Sequence, residues 1–167
     1  LLTDATHRGS RVVALGDRGY IVLSDDDGKT WRRAKSPAAP LLTAVEFLDA
    51  QHGWAVGHDS VILATTDGGE TWVQQFAAPA EQRPLMDVVF LDHNVGYAIG
   101  AYGAFFETSD GGKSWEQRDK SQMMVWRPFY FANIVVDPSN ADRLFKMNLR
   151  LIVSDNGTEL TSHAIFA

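Results

Sequence analysis

The stretch 24–31 reads Ser-Asp-Asp-Asp-Gly-Lys-Thr-Trp, and closely similar octapeptides return at 65–72 and 108–115. All three fit the pattern Ser/Thr-x-Asp-x-Gly-x-Ser/Thr-Trp. Each octapeptide stands between short runs rich in Val, Ile, Leu and aromatic residues, which are typical of strands. The pattern therefore predicts a tight turn between two strands, repeated along the chain.

The repeat is nearly regular. A degenerate fourth copy at 153–160 keeps only the aspartate and the glycine. The central aspartates of the four copies are residues 26, 67, 110 and 155, which gives intervals of 41, 43 and 45 residues. A repeat of this length, with the same turn in each unit, predicts a propeller or a solenoid.

Every fixed position of the octapeptide has a structural use in a turn. The carboxylate can accept backbone N–H groups, the glycine can take a positive φ, and the Ser/Thr hydroxyl can tie the base of the hairpin. The tryptophan can bury its ring beside the hairpin while its indole N–H bonds a carbonyl. We therefore predict a structural and not a catalytic role for Ser24, Asp26, Gly28, Thr30, Trp31, Thr65, Asp67, Gly69, Thr71, Trp72, Thr108, Asp110, Gly112, Ser114, Trp115, Asp155 and Gly157.

These octapeptides resemble the Asp-box, also called the bacterial neuraminidase repeat. Asp-boxes occur in sialidases, xyloglucanase-type glycoside hydrolases, sortilin-type receptors and photosystem II stability/assembly factors. In those families the box lies at the outer rim of a propeller blade, on the hairpin that joins the last two strands. The resemblance implies a propeller, but it does not choose among these functions.

A second shared element stands upstream of each box. A short apolar strand ending in glycine occupies 11–16, 53–57 and 96–100. Because small residues fit where blades crowd the axis, we expect these strands to be the innermost of each sheet. Each unit offers four short strands, so we predict an all-β propeller of about four four-stranded blades in a single domain, 1–167. The expected blades are 1–36, 37–79, 80–121 and 122–167.

The phrase at 45–57, Val-Glu-Phe-Leu-Asp-Ala-Gln-His-Gly-Trp-Ala-Val-Gly, precedes an Asp-box. In this order the two elements resemble the photosystem II stability/assembly factor family and its bacterial relatives, over residues 1–119. Residues 131–157 instead resemble sortilin-type and xyloglucanase-type propellers, through the segment Asn-Ile-Val-Val-Asp-Pro-Ser-Asn-Ala-Asp-Arg-Leu-Phe at 133–145. Recombination and ordinary divergence both account for this difference. The first resemblance implies a non-catalytic scaffold for protein binding or complex assembly, and it favours a periplasmic or secreted location.

The composition of the chain limits the classes of partner that it is expected to bind. The 167 residues are 45% hydrophobic and 22% charged, as in a folded protein, and the formal net charge is −6. An acidic chain is a poor match for nucleic acid or an anionic membrane, and no stretch has the length of a membrane-spanning helix. The expected partner is a protein. The absence of cysteine excludes disulfides and thiolate catalysis.

No catalytic, cofactor or metal site is expected. The chain lacks the arginine cluster of sialidases, and most of its other aspartates stand in turns, where Asp is ordinarily a turn-former. The aspartates considered as glycosidase carboxylates are Asp4, Asp17, Asp49, Asp59, Asp87, Asp92 and Asp137. The histidines show no paired-ligand spacing; they are His7, His52, His58, His93 and His163. A carbohydrate-active propeller of the glycoside hydrolase or sialidase type remains the alternative function.

Four blades suggest half of a larger ring, since closed propellers have typically four to eight blades and Asp-box families mostly use six or more. We predict a homodimer in which the last blade of each chain packs on the first blade of its partner and closes an eight-blade ring. A closed four-blade ring and a recombined or truncated fragment that self-assembles are the alternatives. Candidate interface residues are Met124, Trp126, Arg127, Phe129, Tyr130 and Phe166.

Overall fold

The computed structural model describes residues 1–37, 40–118, 133–137, 140–147, 151–155 and 160–161. These residues form four antiparallel four-stranded sheets, each in simple chain order. Blade one contains β1 (Leu2–Arg8), β2 (Arg11–Gly16), β3 (Ile21–Ser24) and β4 (Arg32–Arg33). Blade two contains β5 (Leu42–Phe47), β6 (Gly53–Gly57), β7 (Ile62–Thr65) and β8 (Val73–Phe76). Blade three contains β9 (Leu85–Phe90), β10 (Gly96–Gly100), β11 (Phe105–Thr108) and β12 (Glu116–Gln117), and blade four contains β13 (Asn133–Asp137), β14 (Asn140–Met147), β15 (Leu151–Asp155) and β16 (Leu160–Thr161).

The first strand of each sheet faces the first strand of the next, so these strands lie where the blades converge. β1 packs against β5, β5 against β9, and β9 against β13. Side chains fasten this inner layer: the Thr3 hydroxyl donates to the Leu42 carbonyl at 2.6 Å, one blade away. One repeat later the Thr43 hydroxyl donates to the Leu85 carbonyl at 2.6 Å. The prediction of a propeller with four-stranded blades is therefore confirmed.

The prediction that the glycine-ended strands are innermost is wrong. β2, β6 and β10 are the second strands of their sheets. The glycine has a different cause, which Gly57 illustrates: a Cβ there would lie 2.3 Å from the Leu41 carbonyl oxygen. The crowding comes from the entry into the first strand of the same sheet, not from the propeller axis.

The three complete octapeptides form the hairpins between the third and fourth strands, as the resemblance implied. In each, the aspartate Oδ1 accepts the backbone N–H four residues ahead, at 2.8, 2.9 and 2.9 Å in Asp26, Asp67 and Asp110. The box glycines take φ values of 83, 91 and 84°, in Gly28, Gly69 and Gly112. The Ser/Thr hydroxyl accepts the glycine N–H in every copy, at 2.8, 3.0 and 2.8 Å.

The box tryptophans separate into two environments. Trp72 is 3% exposed and Trp115 is 9% exposed, each against the sheet of the preceding blade, whereas Trp31 of blade one is 46% exposed. Trp31 and Trp72 both donate their indole N–H to the box glycine carbonyl at 2.9 Å. Among the residues that the structure describes, the Trp115 indole N–H has no acceptor. The same motif is thus equally well formed in blades one and two but buried only where another blade precedes it.

Two apolar clusters lie in the seams between blades. The first joins blades one and two and includes Leu15, Leu23, Phe47 and Trp72. The second joins blades two and three and includes Trp54, whose ring stacks on Phe90 with centroids 3.4 Å apart. Blade two therefore packs through both faces of its sheet, against blade one on one side and blade three on the other.

In the described ranges, no helix has the length and apolar character needed to cross a lipid bilayer. Gly157 and the six candidate interface residues at 124, 126, 127, 129, 130 and 166 lie outside the described residues. The predicted blade boundaries remain predictions.

Candidate functional site

In blades one to three, two kinds of loop lie on one face of the propeller. The loops between first and second strands lie beside the Asp-box hairpins, because backbone bonds join them within each of these blades. The Gly68 N–H donates to the Gln51 carbonyl at 2.9 Å, and the Gly111 N–H donates to the Asn94 carbonyl at 2.9 Å. Side chains from these loops are therefore brought together on a single face, which we call the box face.

A cavity of about 350 Å³ opens between blades one and two on the box face. This volume falls at the lower end of ligand-binding pockets, which range from about 300 to 1,000 Å³. Phe47 contributes the largest apolar side chain, and basic side chains stand around it. The lining residues are Thr6, His7, Arg8, Arg11, Phe47, Ala50, Gln51, Asp67 and Glu70.

The two arginines of the cavity differ in their partners. Arg11 pairs with Asp25 at 2.7 Å and with Glu70 at 3.1 Å, and it donates to the Gly68 carbonyl at 3.0 Å. Arg8 donates only to the backbone carbonyls of His7 and Phe47. No ion pair among the described residues involves Arg8. A guanidinium has five N–H donors, so Arg8 retains donor capacity toward the cavity.

The acidic side chains of the cavity are already engaged. Asp67 belongs to its own box: burial raises the pKa of its carboxyl, but hydrogen bonds from Thr71 and Thr65 outweigh this and the pKa is lowered overall. Glu70 pairs with Arg11 and with Arg32, and Arg32 also contacts Asp25. Neither cavity acid is arranged as a proton donor. Arg8 forms no ion pair or hydrogen bond with an acid among the described residues, although its charge acts on the nearby Glu46.

Glu46 on β5 is a half-buried acid outside the cavity. Burial raises the pKa of its carboxyl to about 7, the neighbouring charge of Asp87 adds to the rise, and the Phe90 N–H bond and the Arg8 charge offset part of it. The Phe90 N–H reaches Glu46 Oε2 at 3.0 Å from the next blade. In the preceding seam Asp4 Oδ2 accepts the Val45 N–H at 2.8 Å. Both carboxylates thus connect first strands of neighbouring blades.

The remaining aspartates named from the sequence are mostly in turns, as expected. Asp92 Oδ1 accepts the Asn94 and Val95 N–H groups at 2.7 and 2.8 Å. Asp17 and Asp59 lie in the 3-10 turns Asp17–Gly19 and His58–Ser60 that follow β2 and β6. Asp87 lies on β9 and Asp137 ends β13. The structure brings Asp87 near Glu46 but gathers no further pair of these acids across the cavity.

Asp49, His52 and His93 form a cluster that chain spacing did not predict. Asp49 lies in the loop after β5, and its Oδ1 accepts the Gln51 and His52 N–H groups at 2.7 and 2.8 Å, which confirms it as a turn-former. Its Oδ2 lies 2.9 Å from His52 Nδ1 and 3.6 Å from His93 Nε2. His93 comes from the equivalent loop of blade three. Blades two and three are 43 positions apart, so Asp49 aligns with Asp92 and the two histidines occupy different positions of equivalent loops, which gives no spacing signal.

The sequence profile of the family described as photosynthesis system II assembly factor YCF48 matches residues 28–84 and 74–159. The likeness to assembly factors therefore continues past residue 119 and through most of the fourth unit. A curated relative, the chloroplastic photosystem II stability/assembly factor HCF136 of Cyanidioschyzon merolae, is 36% identical over 70 residues, which cover 38% of this chain and 16% of that protein.

Two solved structures share the architecture. "YCF48 bound to D1 peptide" aligns with a TM-score of 0.70 and 21% identity over 98% of this chain and 54% of that one. An ancestral GH74 enzyme aligns with a TM-score of 0.70 and 15% identity over 92% of this chain and 22% of that one. The chain thus spans about half the length of the solved YCF48. At these identities the likenesses establish the propeller fold for this chain and nothing finer.

Proposed function

Because the chain belongs to the family of the photosynthesis system II assembly factor YCF48, we propose that it is a non-catalytic propeller that holds a segment of a partner protein during complex assembly. The binding site is the cavity between blades one and two. The observation that carries the proposal is Arg8, whose guanidinium stands at this cavity and, among the described residues, donates hydrogen bonds to backbone carbonyls and to no carboxylate.

The chemistry of the cavity suits an extended peptide with a carboxylate. Thr6 and Gln51 line the cavity and offer polar groups for a peptide backbone, and the core residue Phe47 lies beneath them. Arginine binds carboxylates through two parallel N–H donors, which gives direction as well as affinity. A solved relative, YCF48, is bound to a D1 peptide. A peptide segment with an acidic side chain or a free carboxyl terminus is therefore the proposed ligand class.

We propose that the chain is not a catalyst because the two carboxylates of the cavity are already engaged by other groups. A glycosidase needs one carboxyl group as proton donor and a second as nucleophile or base. Asp67 is held in its box, and Glu70 is held by Arg11 and Arg32. The cavity thus supplies cationic recognition, and both of its carboxylates are already engaged by other groups.

One observation favours the carbohydrate-active alternative. Glu46 has a pKa of about 7 beside Asp87, and a raised carboxyl pKa near a second acid is the pattern of a glycosidase proton donor. The Phe90 N–H bond gives Glu46 a structural use between blades, as Asp4 has in the preceding seam. Reproducible hydrolysis of xyloglucan or aryl glycosides, lost in Glu46→Gln, would establish the alternative and reject our proposal.

Calorimetric titration with the D1 peptide tests the proposal. We expect binding by the wild-type chain and at least tenfold weaker binding by Arg8→Ala. Arg18→Ala is the matched control, because Arg18 is an exposed arginine in the turn at the opposite end of β2. Equal affinity in all three proteins would reject the cavity as the site.

We also propose that two chains associate through blade one. Leu2, Tyr20 and Trp31 are exposed there, whereas the residues that occupy their positions in blade two, Leu42, Val61 and Trp72, are buried by the preceding blade. A blade of a second copy would cover this face and close a ring. Light scattering should report about twice the 18.4 kDa chain mass, and Trp31→Glu should return the monomer. Val73→Glu, an exposed change on β8 of blade two, should leave the mass unchanged. A monomeric wild-type chain would contradict self-association.

A further inference from the structure

We propose that Asp49, His52 and His93 bind a Zn²⁺ ion that joins blades two and three on the box face. One donor atom from each of the three side chains lies within 4.8 Å of the others. Asp49 and His52 belong to the loop that ends at β6, and His93 belongs to the corresponding loop before β10. The proposal is independent of the peptide site, which lies in the other seam.

The distances are close to those that the metal requires. A tetrahedral Zn²⁺ with bonds of about 2.0–2.2 Å places neighbouring donor atoms about 3.3–3.5 Å apart. His93 Nε2 is 3.6 Å from Asp49 Oδ2, and His52 Nδ1 is 2.9 Å from the same oxygen. The donor nitrogens of His52 and His93 lie within 4.8 Å of each other, so rotation of the exposed His93 ring would have to bring them closer for both to bind one ion.

The carboxylate is held in place before any metal arrives. Asp49 Oδ1 accepts the N–H groups of Gln51 and His52, so the other oxygen, Oδ2, points toward both imidazoles. The two rings meet edge to face with centroids 4.7 Å apart. A side chain fixed by backbone bonds loses little conformational freedom when it binds, and hydrogen bonds to a ligating carboxylate orient it further.

The donor set selects the class of ion. Two imidazole nitrogens and one carboxylate oxygen suit Zn²⁺, whereas Mg²⁺ and Ca²⁺ take oxygen ligands. The three side chains are 39%, 39% and 59% exposed, so water can complete the fourth position. The ion would add a bond between loops of neighbouring blades and so stabilise the second seam.

Calorimetric titration with ZnCl₂ and with MgCl₂ tests the site in the whole chain. We expect one equivalent of Zn²⁺, no detectable Mg²⁺, and a rise in the melting temperature that EDTA reverses. His93→Ala should weaken Zn²⁺ binding at least tenfold, and His52→Ala should do the same. His93 is the more exposed of the two, so its variant should keep the fold and the same circular dichroism spectrum. His58→Ala, an exposed histidine outside the cluster, should bind as the wild type does.

Two results would overturn the proposal. The first is wild-type binding that His93→Ala leaves unchanged, because the ion would then bind elsewhere. The second is a wild-type chain that binds no Zn²⁺ at neutral pH, which would leave the cluster as a pair of histidine–aspartate contacts.

Discussion

Replacement of Trp72 by alanine should cost far more stability than the same replacement of Trp31. Both tryptophans occupy the last position of an Asp-box and both donate to a box glycine at 2.9 Å, so the lost hydrogen bond is the same. They differ in burial, since Trp72 is 3% exposed and Trp31 is 46% exposed. Trp72 also meets Phe47 edge to face at 5.9 Å. Comparing the two replacements therefore isolates the contribution of packing between blades to the free energy of unfolding.

The magnitude follows from the buried area. A buried tryptophan covers up to about 250 Å², so the difference in exposure corresponds to roughly 110 Å² of ring surface. At about 25 cal/mol per Å², this surface is worth about 2–3 kcal/mol. We expect Trp72→Ala to cost about 3–5 kcal/mol, the usual range for a buried aromatic, and Trp31→Ala to cost about 1–2 kcal/mol.

Urea denaturation gives both values. The measurement belongs at a protein concentration where light scattering reports the monomer, because a second copy over blade one would bury Trp31. If both replacements lower the free energy of unfolding of the monomer equally, the argument that Trp72 stabilises through packing between blades, and not through the turn, is refuted. A loss for Trp31→Ala that grows with protein concentration would instead support self-association.

Three further outcomes follow from the same structure. Glu46→Gln should be more stable than the wild type above pH 7 and similar to it below pH 4.5. The reason is that wild-type stability falls by up to about 3 kcal/mol as pH rises from the unfolded pKa of 4.5 to the folded pKa of about 7. Parallel melting curves of the two proteins at all pH values would count against this prediction. The hydroxyl of Ser114, with other hydrogen bonds, lowers the pKa of Asp110 to about 2. The stability that the Asp110 carboxylate contributes should therefore be lost as pH falls below about 4. Asp110→Asn should accordingly show a shallower acid-unfolding slope than the wild type. Sialosides, xyloglucan and aryl glycosides should not be hydrolysed above the buffer rate, and turnover that survives repurification would contradict the non-catalytic proposal.

The Asp-box hairpins were predictable because their bonds close within eight residues. Asp67, Gly69 and Trp72 each have a partner inside the box, so residue type and spacing sufficed. The order of strands within a blade was not predictable from composition. From the sequence, Gly57 could be required either by crowding near the propeller axis or by close contact with the residue before the first strand. The structure shows that its close neighbour is Leu41, the residue before β5.

The candidate sites were harder to predict because they lie between blades. Arg8 and Phe47 are 39 positions apart, and nothing in either local sequence shows that they line one cavity. The spacing rules for metal ligands apply within a helix or a loop, so they missed His52 and His93, which meet across a seam. Comparison of equivalent positions one repeat apart does not pair them either, because His52 aligns with Val95 and His93 aligns with Ala50.

The central claim is that the cavity on the box face holds a partner peptide. Hydrogen exchange of the chain, measured with and without saturating D1 peptide, tests it most directly. The account predicts slower exchange in segments 6–11 and 47–51, which line the cavity, and unchanged exchange in 17–20 and 58–61 at the opposite face. Protection confined to the opposite face, or no protection in 6–11 and 47–51 at a concentration where the peptide binds, would contradict it.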